Sequence, residues 1–295
     1  MPSTSDTSEP LTSSASALTG TAPQPSINTG NMVILTSPSL TEILQSIEKI
    51  KDTHVSPPHP QKSRMSYLLI EELDRETFDR LWHDSNLLKA VTATLWRANR
   101  TVLFRIMPNR QHEGLRSSFD EILLRVLLTM HLEPMTHGFR CFRSARVYGD
   151  QTSKEPDCSF YPPASLGPGI TPSPSLVLEV GVSESYSRLS QDAQWWHANA
   201  PTRPGLVVLI HTTTTPCFRV DIEIWTHIPN QYGSRESAPS HLQISQHLYV
   251  QGNAVYGGPL RLDFELLMRR PPNPLTERDV VMTDQQVLYI ATQME

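Results

Sequence analysis

The 295-residue chain has few cysteines, no long apolar run and no surplus of basic residues. Its cysteines, Cys141, Cys158 and Cys217, form no CxxC pair, which argues against a zinc site and against a disulfide framework. No apolar run approaches the roughly 18 residues that indicate a transmembrane helix. The formal net charge of −5 argues against a protein that binds nucleic acid through bulk positive charge, although a local basic site stays open.

The beginning of the chain lacks the basic residues of a targeting sequence, because the first basic residue is Lys49. It therefore fits neither a secretory signal nor a mitochondrial presequence. We expect an intracellular protein, cytoplasmic or nuclear, that has no membrane partner.

Composition divides the chain into three segments. Residues 1–38 are rich in Ser, Thr and Pro and have little apolar content, so we predict a disordered tail. Residues 39–65 combine a short amphipathic helix, LTEILQSIEKI, with the Pro-rich linker HVSPPHPQKS. Residues 66–295 are predicted to form the compact domain.

The patterns within residues 66–295 predict an α/β domain with a mixed central β-sheet flanked by helices. The longest helical pattern covers Ser117–Leu132. The order strand, helix, strand over Ser175–Thr212 predicts a parallel pair joined by a right-handed crossover. The run CFRVDIEIW then alternates apolar and charged residues, which predicts an added antiparallel strand with Asp221 and Glu223 facing solvent.

Two carboxylates are unusual in their surroundings. Glu179 lies inside the apolar strand LVLEVGV, where an uncompensated charge costs several kcal/mol. Asp157 follows a proline in KEPDCSFYP, which favours extended backbone. Simpler interpretations stay open, since Glu179 could pair with an arginine such as Arg219 across the sheet and Asp157 could cap a turn.

The Pro-Asp pair, the glutamate in an apolar strand, and the helix and strand that follow resemble the PD-(D/E)XK nuclease superfamily. The pattern ExxxSxS, from Glu179 to Ser185, is similar to that of its candidate restriction endonuclease family, as is MPNRQHEG before a long helix. The resemblance covers Arg105 to Trp225 and implies a restriction-endonuclease-like fold.

The resemblance also implies a phosphodiesterase that depends on Mg²⁺ or Mn²⁺, metals that prefer oxygen ligands. Asp157 and Glu179 would be the metal ligands. Glu113 or Glu121 would add a ligand or orient a metal-bound water. DNA or RNA would be the partner, and a homodimer is left open.

The lysine of the superfamily motif is missing, because Gly181 stands at its position. Lys154, three residues before Asp157, could supply the catalytic cation instead. Arg188 in the following helix is a second candidate, although a guanidinium is a poor general base. If neither residue supplies the cation, the site is inactive or depends on the metal alone.

Several of these residues also have ordinary structural interpretations. Ser118 and Glu121 have the spacing of a capping box, and Glu121 and Arg125 have that of an i,i+4 ion pair. Glu113 fits a surface loop as well as a site. Trp196 is predicted to be a core residue rather than a base-stacking platform.

Three functions therefore compete. The first is a metal-dependent nuclease. The second is a catalytically inactive nuclease fold that acts as a binding or scaffold module. The third is an unrelated hydrolase with two carboxylates, such as a glycosidase, whose pair would face a groove.

Overall fold

The computed structural model describes residues 32–55, 66–84, 91–106, 110–142, 144–182, 184–200, 202–213, 217–228 and 241–294. The helices are α1 (Leu40–Val55), α2 (Arg75–His83), α3 (Arg110–Thr129), α4 (Pro134–His137), α5 (Tyr186–Asn199), α6 (Phe264–Met268) and α7 (Asp284–Thr292). The strands are β1 (Met32–Thr36), β2 (Ser66–Glu71), β3 (Thr92–Trp96), β4 (Thr101–Ile106), β5 (Arg140–Phe142), β6 (Val147–Tyr148), β7 (Thr152–Lys154), β8 (Cys158–Tyr161), β9 (Leu176–Gly181), β10 (Leu206–Thr213), β11 (Arg219–Ile228), β12 (His241–Gln251), β13 (Ala254–Tyr256), β14 (Leu260–Leu262) and β15 (Val280–Met282). None of the helices in these ranges is both long enough and apolar enough to cross a membrane.

The strands form two large mixed sheets and a small two-stranded antiparallel sheet, β14-β15, and helices pack on the large sheets. The first sheet has the order β1-β2-β4-β3-β7-β6, and the second has the order β13-β12-β11-β10-β9-β8-β5. The predicted α/β architecture with mixed sheets and flanking helices is confirmed. The prediction of one central sheet missed the first sheet, because β3 and β7 are short strands whose pairing is set by distant partners.

Helices α1 and α2 cover one face of the first sheet. Ile43 and Ile47 of α1 are buried against Phe78 of α2 and Leu68 of β2. Strand β1 pairs in parallel with β2, so the prediction of disorder is wrong for residues 32–36. An extended partner strand and an apolar sheet face stabilise this segment, and composition alone does not reveal either of them. The first two residues of the predicted linker, His54 and Val55, belong to α1. Residues 1–31 and 56–65, which include the rest of that linker, lie outside the described residues.

The second sheet is covered on both faces. One face packs against α3, α6 and α7, and the other packs against α5 through Leu189, Ala193 and Trp196. The predicted core position of Trp196 is confirmed, since the side chain is fully buried. The predicted parallel pairing of β9 with β10 is confirmed, and so is the antiparallel pairing of β11 with β10.

The longest helix begins earlier than its apolar pattern predicts. Helix α3 starts at Arg110, so Ser118 lies inside the helix and its hydroxyl donates to the Leu115 carbonyl. The proposed capping box of Ser118 and Glu121 is therefore wrong. The predicted i,i+4 pair is present, with 2.6 Å between Arg125 Nη2 and Glu121 Oε1.

The charged residues of β11 also depart from the prediction. Asp221 and Glu223 are buried rather than solvent-facing. Alternation along β11 does place them opposite Val220, Ile222 and Ile224, as expected. The face that they occupy is covered by side chains of neighbouring strands and of α5, which local alternation does not reveal.

Candidate functional site

Two adjacent strands bring Asp157 and Glu179 together. Cys158 of β8 pairs with Leu178 of β9 in antiparallel register. Asp157, which precedes Cys158, therefore lies beside Glu179, which follows Leu178. Both carboxylates are fully buried, and the backbone N–H of Val180 donates to Asp157 Oδ2 over 2.8 Å. The inward orientation of both side chains agrees with the prediction. The alternative interpretation of Asp157 as a turn cap is not favoured, because its carboxylate accepts from the backbone of Val180 in the neighbouring strand.

Arg105 of β4 lies between the two carboxylates. Its Nη2 atom is 2.6 Å from Asp157 Oδ1 and 3.0 Å from Glu179 Oε2. Arg105 faces away from the α1 and α2 layer because its neighbours Phe104 and Ile106 point into that layer. The first sheet therefore supplies the cation that the second sheet needs. The alternative prediction that Glu179 pairs with an arginine is confirmed, but the partner is Arg105 of the other sheet and not Arg219, which pairs with Asp221.

The remaining carboxylate oxygens are also occupied by protein donors. Trp196 donates its indole N–H to Glu179 Oε1 over 2.7 Å. Lys154 Nζ lies 3.2 Å from the same oxygen. His112 Nε2 lies 3.1 Å from Asp157 Oδ2. Every oxygen of the pair thus has a nitrogen donor within hydrogen-bonding distance.

Lys154 reaches the pair because the chain changes sheets next to it. Lys154 ends β7 in the first sheet, and four residues later the chain enters β8 in the second sheet. Its ammonium contacts Asp192 of α5 as well as Glu179. The sequence-based expectation that Lys154 could turn toward Asp157 and Glu179 thus agrees with its position, and its catalytic role stays a prediction.

Arg188 lies at the edge of this arrangement rather than at the pair. Its guanidinium is 3.8 Å from Glu184 and 3.7 Å from Asp192, both of which also lie 3.7 Å from Arg105. No contact of Arg188 with Asp157 or Glu179 is present in the described part of the chain.

We call the buried set of ionisable residues around Arg105 the central charge cluster. Its four cationic side chains are Arg105, His112, Lys154 and Arg188. Its four carboxylates are Asp157, Glu179, Glu184 and Asp192. When all eight are ionised, the cluster is neutral without any added cation.

The pKa values of the cluster reflect burial and these ion pairs. Burial alone would raise the pKa of Asp157, but Arg105 and His112 hold it well below its usual range. Burial alone would lower the pKa of His112, but Asp157 raises it to about 9. Burial raises the pKa of Glu179, and it raises that of Glu184 to about 7. Asp157 and His112 therefore form a stable ion pair at neutral pH.

This arrangement does not fit a divalent metal. A shared ion would have to lie between Asp157 and Glu179 at about 2.0–2.6 Å from their oxygens. Arg105 Nη2 already fills that position, at 2.6 and 3.0 Å from them. Among the described residues, no group of three His, Cys, Asp or Glu side chains is arranged to hold a metal ion.

The two additional ligands suggested by the resemblance point elsewhere. Glu113 contacts Arg116 over 2.7 Å, and its side chain is 57% exposed. His112, whose Nδ1 lies 3.5 Å from Glu113 Oε1, lowers the pKa of Glu113 to about 2. Glu121 pairs with Arg125 on the exposed face of α3. The structure therefore does not bring either glutamate to Asp157 and Glu179. Ser183 of the ExxxSxS pattern and Met107–Asn109 of MPNRQHEG lie outside the described residues.

Sequence reasoning missed Arg105 and Asp192 as members of the cluster. The signal for Arg105 was available, because it is a charge inside the apolar strand TVLFRI, just as Glu179 is inside LVLEVG. Two opposite charges in two strands that are both predicted to be buried are expected to pair with each other. Asp192 offered a weaker signal, since one aspartate on an amphipathic helix is usually solvated.

No protein-family model matches the chain, and no curated protein matches it. Among solved structures, the chain is similar to a protein from Anabaena variabilis that is described as a candidate nuclease belonging to DUF820. The two chains are 10% identical, and the match covers 67% of this chain and 90% of the other, with a TM-score of 0.40. Similarity at this level does not make the chain a member of that family.

Proposed function

We propose that this protein is a nuclease-like binding module that has lost metal-dependent hydrolysis. The observation that carries the proposal is the position of Arg105, whose single Nη2 atom bridges Asp157 and Glu179. The order of the Pro-Asp pair, strand glutamate, helix and strand resembles that of PD-(D/E)XK nucleases. The guanidinium takes the place that the resemblance assigns to the metal.

Displacement of Arg105 by a metal would be costly. Its guanidinium contacts four carboxylates, and its side chain is 8% exposed. Removing one partner from a buried ion pair typically costs about 3–5 kcal/mol. The metal would also have to lose its water shell in a cluster whose carboxylates are already matched by an equal number of cationic side chains. Both costs favour the protein's own cation.

A metal-dependent nuclease is the second candidate, and the position of Lys154 favours it. The ammonium lies 3.2 Å from Glu179 in a chain that lacks the motif lysine at Gly181. A nuclease of this kind requires a second conformation in which Arg105 leaves the pair.

The two candidates differ in a direct assay. Purified protein is incubated with plasmid, single-stranded DNA and RNA, each with Mg²⁺, Mn²⁺ or EDTA. The variants Asp157→Ala and Glu179→Ala are purified in parallel as controls for contaminating nucleases. Glu121→Gln is the control for loss of a carboxylate away from the Asp157–Glu179 pair, because Glu121 lies on the exposed face of α3. We expect the wild-type protein to cleave no faster than the two alanine variants. Metal-dependent cleavage that is lost in both alanine variants and kept in Glu121→Gln would instead establish the nuclease.

A further inference from the structure

The second sheet has a surface that the central charge cluster does not use. Helix α5 packs on β9 and β10, while β11, β12 and β13 continue the same sheet face beyond the helix. This face carries aromatic and basic side chains. We call it the stacking face and define it by a set of six residues: Tyr186, His211, Arg219, His247, Tyr249 and Tyr256.

The pairing register places the aromatic residues in one row across the strands. Tyr256 pairs with Tyr249, Tyr249 with Asp221, and Asp221 with His211, which pairs in turn with Gly181. The row crosses four inter-strand steps, or roughly 19 Å at the usual strand spacing. It begins at the outer edge of the sheet and ends two residues beyond Glu179 on β9.

The two tyrosines at the outer end form a stacked pair. Their ring centroids are 4.7 Å apart and their planes differ by 15°. Tyr256 is 47% exposed, so one ring surface of the pair is available to solvent. At the other end, the exposed ring of Tyr186 packs on His211 at 5.0 Å, and its hydroxyl donates to the buried Glu223.

Arg219 is held in place beside the stacked tyrosines. Its Nε donates to Asp221 over 2.8 Å, and its guanidinium carbon lies 5.2 Å from the centroid of Tyr249. Asp221 is buried, and it also contacts His247 Nε2 at 2.9 Å. Within the described residues, no hydrogen bond is present at either Nη atom of Arg219, whose side chain is 39% exposed.

Such an arrangement suits a ligand that combines flat rings with anionic groups. A base stacks on an exposed aromatic ring irrespective of its identity, and an arginine with free Nη donors binds phosphate in a fixed geometry. Asp221 fixes the orientation of Arg219 and His247, which reduces the ordering cost of binding. Duplex DNA keeps its bases stacked inside the helix, so it cannot use the tyrosine rings in the same way.

We propose that the stacking face binds single-stranded nucleic acid, with a base on the exposed ring of the Tyr256–Tyr249 pair and a phosphate at Arg219. The proposal deepens the proposed function, because it names the partner of the nuclease-like binding module. It does not require any event at Asp157 or Glu179.

The probe is a fluorescein-labelled oligothymidylate of about 12 nucleotides, within the range that such sites cover. Its binding to the full chain is measured by fluorescence anisotropy in EDTA at several salt concentrations. We expect Tyr249→Leu and Tyr256→Leu each to weaken binding by roughly tenfold, since one stack is lost. Arg219→Gln is expected to reduce the salt dependence by about one phosphate contact. Tyr289→Leu is the matched control, because Tyr289 is 45% exposed on α7, on the opposite face of the sheet.

Thermal unfolding of each variant confirms that the chain is folded. Absent binding by the wild-type protein, or equal binding by all folded variants, would overturn the stacking face. A preference for a duplex of the same length would also overturn it. Sedimentation of the protein alone tests whether a second copy of the chain occupies the stacking face. Self-association that Tyr249→Leu abolishes would identify the face as a homodimer interface and overturn the proposal. None of these outcomes bears on the proposed loss of hydrolysis. Binding is measured in EDTA, and hydrolysis is tested separately by the cleavage assay.

Discussion

Arg105 Nη2 and Asp157 Oδ1 are 2.6 Å apart, although 52 positions separate the two residues in the chain. The contact joins β4 of the first sheet to the residue that precedes β8 of the second. Because the same Nη2 atom also contacts Glu179, Arg105 both links the two sheets and compensates the carboxylate pair. An arginine in this position makes the centre independent of an added cation.

Loss of the Arg105 guanidinium is expected to destabilise the fold strongly. Arg105→Met leaves Asp157 and Glu179 buried with fewer compensating charges, so the free energy of unfolding should fall by about 3–5 kcal/mol. Urea unfolding at neutral pH measures the change. Arg105→Lys should recover part of the loss, since a lysine keeps the charge but not the planar fork.

The matched control for this prediction is Arg125→Met. Arg125 and Glu121 are also 2.6 Å apart, but the arginine side chain is 68% exposed. We expect this variant to lose at most about 1 kcal/mol. Equal losses in the two methionine variants would contradict the assigned role of Arg105.

Mn²⁺ is expected to leave the stability of the wild-type protein unchanged. A metal that binds only the folded state raises the free energy of unfolding by RT ln(1 + [L]/Kd). With Arg105 at the Asp157–Glu179 pair, we expect no such increase at millimolar MnCl₂. Thermal unfolding with MnCl₂ or EDTA provides the measurement. A Mn²⁺-dependent increase that disappears in Asp157→Asn would contradict the prediction and support the nuclease.

The indole of Trp196 is expected to stabilise Glu179 through its hydrogen bond. Trp196→Phe removes a 2.7 Å donor from a buried carboxylate, at a cost of about 2–3 kcal/mol. Trp195→Phe is a useful comparison, because among the described residues the indole nitrogen of Trp195 is buried without a hydrogen-bond partner.

A double-mutant cycle separates this hydrogen bond from the lost volume of the indole. Trp196→Phe is combined with Glu179→Leu, which removes the accepting oxygen, and the coupling energy is obtained from urea unfolding. We expect a coupling of about 1.5–3 kcal/mol. A coupling near zero would mean that Trp196 acts only through packing.

His112 is expected to make stability depend on pH above neutrality. Its pKa in the folded protein is about 9, above the ordinary value of about 6.5 in the unfolded chain. Its contribution is therefore fully present below pH 6.5 and is lost as the pH rises through 9. The upper limit of that contribution is about 3 kcal/mol.

Urea unfolding between pH 6 and pH 10 tests this dependence. The wild-type protein should lose more stability over this range than His112→Gln, which cannot become protonated. Parallel pH profiles for the two proteins would show that protonation of His112 does not stabilise the fold.

The sequence by itself determined the local elements around Asp157 and Glu179. The apolar run with a central glutamate predicted β9, and the amphipathic pattern after it predicted α5. The cost of burying a charge predicted that Glu179 has a partner. These properties depend on residues close together in the chain, so periodicity and desolvation reveal them.

Only the tertiary structure decided which partner that is. Arg105 lies 74 positions before Glu179, and it reaches the carboxylate because two separate sheets meet at this point. The burial of Asp221 likewise depends on side chains from neighbouring strands. Such contacts are set by strand register and by the packing of distant segments, and local patterns carry no record of either.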